Sequence, residues 1–467
     1  MKTRCIYAGL IVLLLSARNS QAQTDMWAAS NGTWTSNPNW SLGRPANNGT
    51  ADVSFGVPGP FSAKVNNTWD VNSLLIGNTA GSFDLTHTGH HKLTVESTLT
   101  DNSSRAVLAD VSLLGGMNLF LTGSGTLTFS QNNFYTGFTA LSSGTLTDST
   151  FNAFSPNSVV MVGAGSTLDI NFDETISALS DNSGGGTVDI ASGAILTMNG
   201  ASPETFSGVI TGAGSIQLGG TNILTLTGAN NYSGTTLVGS GSAIVAGNNQ
   251  ALGSSGVTLA GAATLNVMSG VTVTNALSFS GTGNVLAGSG TLGQATTVDT
   301  KVILSPSASP GNGPGDLSFG GALTLASGGT ISFHLFDATG VAGTGFGLVT
   351  ANGGLTLTAA ANTLVFDLVS VDSSGNPTAA INFNSSTSYS WKFAASSSPI
   401  IGFAANQFNL DTSGFTNATN GGTFAFTEVG NNLFLNFTPV PEPSTWAMIA
   451  TGIFIVVPVT LRRRRSS

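Results

Sequence analysis

The sequence predicts an all-β protein built as a stacked solenoid, and three observations carry that prediction. Apolar residues alternate with Thr, Ser and Asn over very short runs, as in Thr126-Leu127-Thr128-Phe129, Thr187-Val188-Asp189-Ile190 and Ile195-Leu196-Thr197-Met198. A period of two is the mark of a strand with one buried face. Gly or Asn interrupts the runs every few residues, and no helical period appears between the two chain ends. The chain also repeats itself: an offset of 97 places Leu127, Phe129, Tyr135, Gly137, Thr139, Gly144, Thr167 and Leu168 over Leu224, Leu226, Tyr232, Gly234, Thr236, Gly241, Thr264 and Leu265. Short strands, repeated Gly turns and no helix to cover a sheet suit coils that bury their apolar faces against their neighbours. A string of β-sandwiches is the competing architecture; the shortness of the strands and the repeat argue against it.

Composition narrows the function. Charged residues make up 7% of the 467 residues, against roughly 25% in an ordinary soluble domain. That excludes a coiled coil, a charge-rich disordered tail and a nucleic-acid binder, which needs clustered Lys and Arg. Gly (61) and Pro (15) fall short of the roughly 25–30% that marks low-complexity disorder.

In chain order, the first element is a secretory signal peptide at 1–22, with Lys2 and Arg4 before the apolar run Ile6 to Leu15 and Ser20-Gln21-Ala22 as the cleavage site. This reading implies the Sec translocon and signal peptidase as partners, with the cut between Ala22 and Gln23. Cys5, the sole cysteine, leaves with the peptide, so the mature chain is expected to hold no disulfide. A β region at 23–115 follows, opening on Trp27, Trp34 and Trp40 in a Gly/Asn/Ser background. These indoles are read as an aromatic cap over the first coil, with sugar stacking on exposed rings as the alternative. This opening is similar to that of other surface proteins carrying the terminal signal described below.

The solenoid proper is expected at 116–300 and a less repetitive β region at 301–439. Leu224-Thr225-Leu226-Thr227-Gly228-Ala229-Asn230-Asn231-Tyr232-Ser233-Gly234, followed by Ala251-Leu252-Gly253, resembles the autotransporter-associated β-strand repeat, with a degenerate copy at Asn132-Asn133-Phe134-Tyr135-Thr136-Gly137. Leu304-Ser305-Pro306-Ser307-Ala308-Ser309-Pro310-Gly311 is similar to the passage that often follows such repeats. The resemblance covers roughly residues 120 to 370 and implies a right-handed parallel β-helix, the fold of an autotransporter passenger.

The last element spans 440–467. Trp446 to Leu461 is an uncharged, mostly apolar run, followed at once by Arg462, Arg463, Arg464 and Arg465. It is read as a single transmembrane helix at 446–461, its length of about 24 Å falling short of the ~30 Å hydrocarbon core unless arginines snorkel. The arginines are expected to stay cytoplasmic as a membrane stop. Val440-Pro441-Glu442-Pro443-Ser444-Thr445-Trp446 precedes the run. Pro-Glu-Pro, an apolar helix and a terminal arginine cluster together resemble the PEP-CTERM sorting signal of Gram-negative bacteria. The resemblance implies an exosortase as partner, an inner-membrane-anchored precursor, and a mature form at the cell surface or in the extracellular polysaccharide matrix. From Gln23 to Thr445 the chain keeps six bases against 22 acids, a net charge of −16, with no Lys or Arg between Arg105 and Lys301. Such a surface disfavours acidic glycans.

Candidate chemistry is sparse. His87, His90 and His91 lie close together with Asp84 and Glu96 in range, and are expected to be solvated; His334 stands in a strand with Asp337 nearby. Asp169-Ile170-Asn171-Phe172-Asp173-Glu174 is the densest acid cluster. It opens like a calcium loop but has Glu174 where Gly is required and Ser180 where a bidentate Glu is required. Asp169, Asp189 and Asp173 are the carboxylates able to converge across coils as a glycoside-cleaving set. No nucleophile motif, cofactor motif or metal set is predicted. The expected function is a non-enzymatic surface or matrix protein or adhesin; the alternatives are a polysaccharide-acting β-helix enzyme and a carbohydrate-binding adhesin.

Overall fold

The computed structural model describes residues 24–79, 81–308 and 313–440. The expected signal peptide with its Ala22/Gln23 cut, the Pro-Glu-Pro motif, the 446–461 helix and Arg462 to Arg465 lie outside the described residues. Among the described residues the structure is all β, with two three-residue 3-10 turns at Asn37–Asn39 and Ala405–Gln407. No helix among them is long and apolar enough to cross a membrane. The chain divides into one unit ending at Leu286 and a second beginning at Ala287.

The first unit is a parallel β-solenoid of about twelve turns. One sheet follows a path of eight strands from Asp25–Met26 to Ala178–Asn182; another has nine, from Asn31–Thr33 to Val209–Gly212. A third runs from Glu174–Ile176 to Leu277–Ser280, and a fourth path includes Pro203–Phe206, Ile223–Leu226, Ala243–Ala246 and Thr264–Val267. Leu119 pairs with Thr139, 20 residues on, and Thr139 with Val160, 21 residues on. The rungs begin at Asp25–Met26, so the stretch at 23–115 shares the parallel coil. Strand after strand alternates half-buried and buried positions, as at Asn118–Leu121, Thr126–Phe129 and Ile195–Met198. Inward Leu, Val, Ile and Phe stack on the rungs above and below, which is why the alternating runs fold as strands despite their shortness.

The 97-residue repeat is a repeat of corners. Asn133 Oδ1 accepts a bond from Leu113 N (2.7 Å) and its Nδ2 donates to Ala153 O (2.7 Å). Asn230, 97 residues later, accepts from Ile210 N (2.7 Å) and donates to Ala251 O (2.6 Å). Each buried amide thus replaces a rung of backbone ladder where the chain turns. Tyr135 and Tyr232 follow, their hydroxyls 2.7 Å and 2.6 Å from Thr139 and Thr236 Oγ1. A Cβ on Gly137 would overlap the carbonyl of Met117, and one on Gly234 that of Gly214, so neither can be another residue without displacing the coil above. With turns of 20 or 21 residues, 97 is not a whole number of turns. Leu127 and Leu224 accordingly lie in different sheets, the second copy displaced from one face of the coil to another.

At the start of the coil Trp27, Trp34 and Trp40 are 2%, 0% and 4% exposed. Trp27 and Trp34 meet Trp40 edge-on at 4.9 and 5.2 Å between ring centres, and Phe55 lies within 6.0 Å of all three. Trp40 Nε1 donates to Trp34 O at 2.9 Å. The cap reading describes this arrangement.

In the second unit three parallel paths continue the same grammar. They run from Val302–Pro306 through Thr330–Leu335 and Leu364–Ser370 to Phe408–Asp411, from Thr291–Leu292 to Tyr389–Ser396, and from Thr296–Val298 to Leu355–Leu357. Parallel rungs therefore persist to Phe408–Asp411, within the stretch at 301–439 where less repetitive structure was expected. The departure is at the end, where Asn432–Thr438 pairs antiparallel with both Tyr389–Ser396 and Thr423–Val429. Phe426 on this hairpin covers Phe366, Phe408 and Phe393 at 5.1, 4.3 and 6.0 Å.

Asn230→Ala leaves the Ile210 N–H and the Ala251 C=O buried without partners, which is expected to cost about 2 kcal/mol or more. Asn231→Ala, at the exposed neighbouring position, is expected to cost less than about 0.5 kcal/mol. Denaturant unfolding of the two variants checks the difference.

Candidate functional site

The acid cluster closes the strand Ser166–Ile170 and enters the corner that leads to Glu174–Ile176. Asp169 is outward on its strand, and its register partner is Asp189 of Thr187–Ile190. Adjacent rungs stand about 4.8 Å apart, so two of the three carboxylates expected to converge are side by side. Asp169 Oδ2 accepts from Thr147 Oγ1 at 2.8 Å and from Asn171 Nδ2 at 3.2 Å. Asp173 does not join them: its Oδ1 accepts from Ile195 N at 2.9 Å, tying one coil to the next.

Behind this face lies a pair that sequence reasoning missed. Asp148, the last residue of Gly144–Asp148, is 4% exposed, and Glu174 is 1% exposed. Asp148 reaches forward one turn, its two oxygens accepting from Asn171 N (2.7 Å) and Phe172 N (2.9 Å). Glu174 reaches back, accepting from Ala153 N (2.7 Å) and Phe154 N (2.8 Å). Four backbone donors are satisfied by two carboxylates crossing between adjacent coils. Burial pushes the Glu174 carboxyl up to about 8; the Phe154 and Ala153 N–H groups oppose this, and the neighbouring Asp148 adds to it. One sequence signal for Asp148 existed: in Thr145-Leu146-Thr147-Asp148 the acid takes the inward slot held by its register partner Phe129. These carboxylates face N–H donors, the opposite of a cation's needs. Among the described residues no group of three or more His, Cys, Asp or Glu is placed to hold a metal ion.

Other candidates are scattered. His87 is half-buried, its Nδ1 2.7 Å from Asp110 O and 3.8 Å from Asp110 Oδ2, so it is a packed residue and not the solvated one expected. His90 is exposed and His91 half-buried. Asp84 sits on the strand Phe83–His87 and Glu96 on Lys92–Asp101, which belong to different sheets. His334 shares the outward side of its strand with Ser332, whose register partner is Asp367, itself paired with Asp411. Burial, then the charge of Asp411, raises the Asp367 carboxyl; Ser332 and His334 act against this. Asp337, the acid expected beside His334, is engaged instead by Asn382 Nδ2 and Thr339 N, both at 2.9 Å.

The structure removes one reading outright. Trp27, Trp34 and Trp40 are packed against one another and Phe55, so they present no stacking face to a sugar. Buried charge also occurs where none was expected, at Asp101 and Arg105. Arg105 Nε donates to Thr79 O at 2.9 Å, and its guanidinium carbon stands 5.4 Å from the centre of the Phe61 ring. Burial raises the Asp101 carboxyl and lowers the Arg105 guanidinium.

The arrangement defines a class, the parallel β-solenoid with aromatic-capped coils and an acid-lined corner. No family description matches the chain, and no curated protein matches it.

Trp34→Ala takes a fully buried indole from the first coil and is expected to lower unfolding stability by about 3–5 kcal/mol. Guanidinium unfolding followed by tryptophan fluorescence checks this. A stable Trp34→Ala protein would show that the ring is not part of the core.

Proposed function

We propose that this chain is a non-enzymatic surface or matrix protein, a spacer or adhesin exported as a right-handed β-helix and sorted by an exosortase through the segment at 440–467. The observation that carries the non-enzymatic part is the use of the acid cluster. Asp148, Glu174 and Asp173 all accept backbone N–H bonds that hold one coil to the next. Carboxylates committed to the scaffold are not available as acid, base or nucleophile. The outer faces support the same reading, being lined with Thr, Ser and Asn and lacking any Lys or Arg from 106 to 300. The sorting reading rests on the order Pro-Glu-Pro, apolar run, arginine cluster. It places the Sec translocon, signal peptidase and exosortase as processing partners, the membrane as a transient anchor, and extracellular polysaccharide as the surrounding phase.

A polysaccharide-acting enzyme is the second reading, favoured by the outward, register-paired Asp169 and Asp189. Purified protein on a panel of neutral and acidic glycans is expected to show no turnover. Turnover abolished by Asp169→Asn or Asp189→Asn would replace the first reading with the second. Deleting Pro441-Glu442-Pro443 in a host with an exosortase is expected to block C-terminal processing and surface delivery; unchanged processing would remove the sorting assignment.

A further inference from the structure

The corner formed by residues 148–154 and 171–174 is closed by two carboxylates that point at each other's coils. Asp148 holds the amides of Asn171 and Phe172, and Glu174 holds those of Ala153 and Phe154. On the outside of the same two segments the rings of Phe151 and Phe172 meet at 5.0 Å, with Phe151 55% exposed. The pair is therefore the inner half of a closure whose outer half is aromatic.

Asp148 is the carboxylate neighbour of Glu174 by side-chain hydrogen bond and by charge, and two buried carboxylates so placed resist ionising together without a compensating cation. None is supplied by the surrounding elements. The corner before Thr139 contributes Tyr135, whose buried phenol is bonded to Thr139. The strand Ser166–Ile170 contributes Asp169, the turn after it Asp173, and the strand Ile195–Met198, paired with Glu174–Ile176, nothing titratable.

We propose that Asp148 and Glu174 form a proton-locked clasp, closed by one proton held between them and loosened when that proton is lost, so that residues 149–154 and 171–173 part. In the closed form Glu174 donates its proton to Asp148 while both groups accept their backbone bonds. In the open form Glu174 is solvated and titrates near its ordinary value of 4.5, against about 8 when closed. The closed state thus binds the extra proton between these values, so opening becomes more favourable as pH rises through that window and levels off above about 8. The clasp is tightest in acid.

Hydrogen exchange of the full chain, read by mass spectrometry and corrected for intrinsic rates, tests this. Protection of peptides covering 149–155 and 170–176 is expected to fall by up to about tenfold per pH unit between about 5 and 8 and then to plateau. A peptide covering 207–212, on the same sheet path but away from the clasp, should change little. Glu174→Gln removes the titrating group and should flatten the profile. Asp148→Asn provides a donor for an ionised Glu174 and should flatten it as well, which keeps the test available if one variant does not fold. Flat protection in the native chain, an unchanged slope in a folded variant, or equal loss at 207–212 would overturn the clasp.

Discussion

Everything in this molecule depends on one stacking constraint. Each inward side chain of the parallel coil lies over one from the neighbouring turn, about 20 residues away in the first unit, and parallel N–H to C=O bonds hold successive rungs about 4.8 Å apart. A residue is therefore judged by what sits above and below it, not only by what it touches along the strand. Leu127 stands between Val107 and Leu146, and Leu168 between Leu146 and Val188. Burial of such columns and the ladder bonds supply the stability, because side-chain ion pairs contribute little. The contact between His87 and Asp110 is 3.8 Å long and is a charge pair only when the imidazole is protonated.

Corners are where the ladder fails and side chains take its place, and the donor chemistry dictates which residue does so. Asn133 lies between a donor, Leu113 N, and an acceptor, Ala153 O, and an amide offers one group to each. Glu174 meets two donors, Ala153 N and Phe154 N, and a carboxyl offers two oxygens. The Ala153 peptide is gripped on its carbonyl side by Asn133 and on its amide side by Glu174. One column of the corner is thus held by an amide and then a carboxylate for the same reason, the satisfaction of buried backbone groups.

The strands, the Gly turns and the aromatic cap were legible because each leaves a local pattern: a period of two, a left-handed glycine such as Gly144 or Gly241, a cluster of indoles. The repeat was legible too, but its meaning was not. Nothing in an offset of 97 says that the second copy lies on another face; that follows from turn lengths of 20 or 21 residues. The clasp was hidden for a related reason. Asp148 and Glu174 are 26 positions apart, and their relation appears only once the register places Asp148 opposite Phe129 and therefore inside. Asp169 and Asp189 were easier, since both close a Thr-apolar-Asp run.

The scarcity of charge follows from the same stacking. Thr and Ser on successive rungs bond to each other, as Thr258 and Ser278 do at 2.8 Å. A row of acids, in contrast, places like charges directly opposite, which destabilises a sheet. Asp169 over Asp189 and Asp367 over Asp411 are rungs where acid stands on acid. At the second, Asp411's charge adds to burial in raising the Asp367 carboxyl. At the first, Asp169 is flanked by Thr147 and Asn171, which donate to it and offset part of the repulsion. A surface otherwise composed to stack without charge carries these acids at a cost to its own stability. That makes the Asp169–Asp189 rung the place where the fold's own logic is least able to explain the residues present.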